Sequence, residues 1–80
     1  MIDAQIRTID MATRTVVVRT EEGRDVALHF HDDSNIEVYE PATTGTMGGT
    51  LADLREGYWV QVAFDERDGA CHCSSLVCVS

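Results

Sequence analysis

The chain has 80 residues, 44% of them apolar, with 14 acidic side chains against six basic ones and a formal net charge of −8. A chain this short buries only about 60% of the surface its unfolded form exposes, which allows one core and one domain, residues 1–80. The acidic balance repels a phosphate backbone, whose capture depends on Lys and Arg, and no apolar run approaches the roughly 20 residues of a membrane helix, so the sequence predicts neither a nucleic-acid partner nor a membrane span.

Short runs of β-forming residues separated by turn signals recur along the chain, the pattern of an all-β barrel or sandwich. In the first, residues 5–10, Ile6 and Ile9 stand three apart and need a bulge between them to face one core. The second, Thr15–Thr20, sets Val16 and Val18 on one face, and Glu22-Gly23 then offers a hairpin turn, with Gly23 supplying a positive φ. The third, 25–31, alternates cleanly: Val26, Leu28 and Phe30 on the core side, Ala27, His29 and His31 on the other. Asn35–Glu40 is a short extra strand that Pro41 ends. Residues 42–49 read as a loop; its glycines lack the Gly-Lys-Ser/Thr ending of a phosphate cradle. A short helix is predicted over 50–56, with Thr50 as N-cap, Asp53 completing a capping box, and Leu51 and Leu54 facing an open end of the barrel. Residues 58–65 form the next strand, with Val60, Val62 and Phe64 inward, and Asp68-Gly69 turns the chain into a last strand over 70–79.

Three strands, a connection holding a short helix, then a closing hairpin is the order of the OB-type barrel. The fold class expected is therefore all-β: a small five- to six-stranded OB-like β-barrel with one short helix between barrel strands three and four. The runs Ile6-Arg7-Thr8-Ile9-Asp10, Thr15-Val16-Val17-Val18, the stretch from Thr50-Leu51-Ala52-Asp53-Leu54 to Val60-Gln61-Val62, Asp68-Gly69 and Leu76-Val77-Cys78-Val79 carry a further likeness. Over nearly its whole length the chain resembles small bacterial barrels of two related groups, a domain family of unknown function and the periplasmic copper-binding chaperones of copper and silver efflux. The resemblance implies the barrel. It does not carry over the copper site: those chaperones hold the ion with a histidine, a Met-x-Met pair and a tryptophan, and the Met-x-Met positions fall here on Val26 and Leu28, which cannot ligate.

Two pairs of side chains invite a metal reading. His29/His31 and Cys71/Cys73 are each spaced i, i+2, so both members of a pair leave one face of a strand and can reach one ion. If the third and last strands are neighbours, the four residues form an S2N2 set suited to zinc or copper(I), with His72 or Asp32 in reserve. The opposing reading makes Cys73, Leu76 and Cys78 part of the core, with Ser74-Ser75 as a bulge that restores the face. In that register the sulfurs point in, the histidines point out, and no cofactor is bound. The three cysteines are an odd number, and the spacing of Cys71 and Cys73 disfavours a mutual disulfide, which makes reduced thiols the simpler expectation.

The carboxylate pairs Asp32/Asp33, Glu21/Glu22 and Asp65/Glu66 fall in turns or at strand ends as solvated groups, so no acid/base dyad and no enzyme is predicted. The first residues lack a secretory signal pattern, which leaves a cytoplasmic protein, the preferred reading, or a periplasmic mature domain without its leader. The function expected is a non-catalytic binding module for an unknown protein partner, as a monomer or weak homodimer. The surface expected to carry it is the third strand, Tyr58, Trp59 and the 41–49 loop with Met47. The alternative is a zinc or copper(I) binder using His29, His31, Cys71 and Cys73.

Overall fold

A computed structural model describes residues 1–40 and 45–79. Seven strands form one sheet: β1 (Ile2–Asp10), β2 (Thr15–Thr20), β3 (Asp25–His29), β4 (Asn35–Glu40), β5 (Gly45–Gly48), β6 (Trp59–Arg67) and β7 (Ala70–Cys78). Their order is β3-β2-β1-β6-β7-β4-β5, and a second pairing of β3 with β7 closes five of them into a barrel, leaving β4 and β5 outside.

Closure is achieved by strands that serve two partners each. β1 gives residues 2–5 to β6 and residues 4–10 to β2, and its register steps from Ile6↔Val18 to Thr8↔Val17. Arg7 is the extra residue of the expected bulge, and it lets Ile6 be buried while Ile9 still packs against the core. β7 uses one edge for β6 and divides the other. Its start runs parallel to β3 (Leu28↔Cys71, His29↔His72), and its end runs parallel to β4 (Asn35↔Ser75, Ile36↔Leu76, Glu37↔Val77). The chain leaving β3 thus makes a short detour and rejoins the same strand one stretch further on.

That detour is held by Ser34. Its N–H donates to the His31 carbonyl, and its hydroxyl accepts from the His31 N–H while donating to the Cys73 carbonyl at 2.7 Å. β3 consequently ends at His29, two residues earlier than expected. Phe30 stays buried because its N–H is satisfied by the Arg14 carbonyl in the β1–β2 turn. At the other end of the barrel strands, Asp68 (φ 53°) and Gly69 (φ 77°) make the β6–β7 turn with both central residues at positive φ, as a type I′ hairpin requires. Within that ribbon Ser74 is bulged out between the pairs Ala63↔Ser75 and Phe64↔Cys73.

Among the described residues the core is made of 13 buried apolar side chains, and no polar side chain is buried with them. Leu28, Phe30, Val60 and Val62 line it as expected, while Val26 and Phe64 are half-buried against it.

Two expectations need correction. The helix is a single 3-10 turn, Leu51–Asp53; its capping box is present, with Thr50 Oγ1 accepting from Ala52 and Asp53 accepting from the Thr50 N–H. Leu54 is drawn into the core in extended geometry, and that ends the helix after one turn. The expected loop over 41–49 contains β5, which pairs with β4 through Val38↔Met47 and its neighbours; residues 41–44 lie outside the described residues.

Candidate functional site

β7 separates its side chains by strict alternation until Ser74 interrupts it. Cys73 is 2% exposed and points into the core, Cys71 is half-buried against the same core, and His72 between them faces outward. Register repeats the division on the neighbouring strand: Leu28, fully buried, lies beside Cys71, and His29 lies beside His72. The set His29, His31, Cys71 and Cys73 is therefore not brought to one point. Its imidazoles and its sulfurs occupy opposite sides of the barrel wall.

The thiol chemistry agrees with the geometry. Burial pushes the Cys73 thiol up to about 11, and its S–H donates to the Ser75 carbonyl at 3.4 Å. Burial thus disfavours the thiolate that a nucleophile or a metal ligand has to become.

What the fold does bring together is three histidines. His31 Nε2 and His72 Nδ1 are 2.7 Å apart, and the His29 and His72 ring centroids are separated by 5.8 Å. The Ser34 detour places His31 there, because it ties the 31–34 turn to β7 next to His72. His72 is the residue that spacing alone undervalued. Its signal was available in the alternation Cys71-His72-Cys73: if the sulfurs go in, the imidazole goes out, to the side where His29 emerges.

On a separate part of the outer wall, Trp59 stands 49% exposed at the start of β6, with Gln5 beside it on β1. Val79, also exposed, donates its N–H to the Trp59 carbonyl at 2.9 Å from the β7 side. Met47 is exposed on β5. Tyr58 turns the other way and packs half-buried against the core, so the exposed aromatic group of the Tyr-Trp pair is Trp59.

A cleft of about 320 Å³ opens between the β1–β2 turn and the 3-10 turn, lined in part by Met11, Arg14, Phe30, Asp32 and Leu51. Its arginine is already occupied by an ion pair with Asp32. Comparison with protein-family models, with curated proteins and with solved structures returned no match, so the functional reading rests on these side chains alone.

Proposed function

We propose that this barrel is a non-catalytic binding module that recognises a protein partner on its outer wall, with Trp59 as the central contact. The observation that carries this is the pairing of a filled interior with a half-exposed tryptophan on a rigid strand. An interior packed by its own side chains holds no substrate, which leaves the outside for recognition. Tryptophan is the residue most often found to dominate an interface, since it presents a large apolar area at little entropic cost. The net charge of −8 argues for a partner with a basic rim, because opposite potentials speed encounter and exclude wrong partners.

Several features support the remaining parts of this reading. The barrel closure through a parallel β3–β7 pair supports an OB-type assignment. Three cysteines kept as thiols fit a reducing compartment, in line with the cytoplasmic reading. Among the described residues no helix is long and apolar enough to cross a membrane. We take the chain to be a monomer or weak homodimer, because the outermost strand β5 is only four residues long and is bounded by glycine.

The test uses a photo-crosslinking amino acid placed at position 61, exposed beside Trp59 on the same face of β6, and, as a control, at position 24 in the exposed β2–β3 turn. A discrete adduct from position 61 alone is expected, and the purified partner should bind the Trp59→Ala variant at least roughly 30-fold more weakly. Equal adducts from both positions, or unchanged affinity, would end the proposal.

A further inference from the structure

We infer that His31 and His72, joined by His29, form a surface site for a borderline transition-metal dication of the zinc, nickel or copper(II) class. The inference is independent of the Trp59 surface, which lies seven residues further along the β7 edge, roughly 20 Å away at strand spacing.

The geometry begins with the two rings that already meet. The His31 and His72 rings are inclined by only 21°, with centroids 4.9 Å apart and nitrogens 2.7 Å apart. A centroid distance that long with so short a nitrogen contact means the rings meet edge to edge. The N–H of one ring therefore points in plane at the lone pair of the other. Two zinc-bound nitrogens at about 2.05 Å from a tetrahedral ion are roughly 3.3 Å apart, so the pair has to open by roughly 0.6 Å and each ring has to turn by roughly 35° to aim its lone pair at the metal. No proton is lost overall: the imidazole that donates in the hydrogen bond moves its hydrogen to its other ring nitrogen, and both facing lone pairs are then free to ligate.

The third ligand is near but not yet turned in. Among the described residues no three His, Cys, Asp or Glu side chains already converge on one point. His29 is the direct β3 neighbour of His72, and its Nδ1 lies 3.3 Å from the Thr15 hydroxyl, which leaves Nε2 as the nitrogen available to a metal. A side-chain rotation towards His72 completes a three-imidazole set. His31 and His72 also share an open cleft with Asp33 and Asp65, the latter paired with His72 across the ribbon. Arg67 lines the same cleft, so the two carboxylates leave a single net negative charge to attract a cation, and either offers an oxygen as a fourth ligand. Imidazole and carboxylate donors suit zinc, nickel and copper(II); with the sulfurs turned into the core, the set is unsuited to copper(I).

The probe is cobalt(II), with zinc in competition, titrated into the tag-free reduced 80-residue chain. One equivalent should bind with ligand-field absorption and without a sulfur-to-cobalt charge-transfer band, and zinc should displace it. Ring-nitrogen NMR signals of His29, His31 and His72 should shift together. His31→Gln, at an exposed position that the fold does not need, should weaken binding at least about tenfold, and His72→Gln should do the same. Unfolding midpoints of both variants, measured without metal, separate a lost ligand from a lost fold. A sulfur-to-cobalt band, uptake without defined stoichiometry, or affinity unchanged in the His31→Gln variant would each overturn the inference.

Discussion

At the scale of single residues, Cys73 ties burial to a measurable pH dependence. Its thiol is ordinary near 9 in an unfolded chain and is pushed up to about 11 in the fold by burial. The folded state favours the protonated form, so the contribution is complete below pH 9 and is lost as the pH climbs from 9 through 11. The urea midpoint of the protein should fall across that window, and Cys73→Ala, which lowers the midpoint at every pH but removes the titration, should fall less across it. Thiol labelling should follow the same division of faces. Cys71, half-buried, should react first, whereas Cys73 and Cys78 should react only at the rate of unfolding. The alternatives for these sulfurs were legible in the sequence, but the choice was not. It depended on whether Cys71 falls beside Leu28 or beside His29, a matter of register between two strands more than 40 residues apart.

At the scale of elements, the two bulges keep apolar residues facing inward. Ile6 and Ile9, and Cys73 and Leu76, are odd-numbered steps apart, and an unbroken strand would put one member of each pair in water. Arg7 and Ser74 absorb the extra step. Deleting Ser74 should turn Leu76 and Cys78 outward and leave the chain without cooperative unfolding, as followed by circular dichroism. Ser74→Ala removes only an exposed hydrogen bond to the Ala63 carbonyl, and should cost about 1 kcal/mol or less. The need for the first bulge could be read from apolar spacing, because period 2 is a rigid constraint; the second followed only if Cys73 and Leu76 both belong to the core. β5 could not be read that way. Its residues, Gly-Thr-Met-Gly, carry no alternation and little β propensity, and they form a strand only because β4 offers them an edge. The 3-10 turn lies between these cases: the capping box announced where it starts, and the burial of Leu54 decided where it stops.

At the scale of the whole molecule, the closure is asymmetric. Long antiparallel pairings join β1, β2 and β6 to their neighbours, whereas β3 and β7 meet through only Leu28↔Cys71 and His29↔His72. Leu28, fully buried at that seam, is the side chain on which closure leans most, and Leu28→Ala should cost about 2 to 5 kcal/mol in chemical denaturation. β4 and β5 lie outside the barrel and depend on one stretch of β7 for attachment, with Ile36 the buried residue that anchors them. Native-state hydrogen exchange should therefore show β5 amides opening well before those of β1, β2 and β6. Comparable protection in β5 would mean that the outer hairpin unfolds only with the barrel.

The sequence by itself determined the class of the fold, the faces of β2, β3 and β6, the bulge in β1 and the two hairpin turns at Gly23 and Gly69, since each follows from local periodicity or backbone sterics. Only the tertiary structure decided that His72 stands between His29 and His31 and that the sulfurs stand behind the wall. Those facts depend on how β7 divides one edge between β3 and β4, and pairing of distant strands is set by the closing of the whole core rather than by any short stretch of chain.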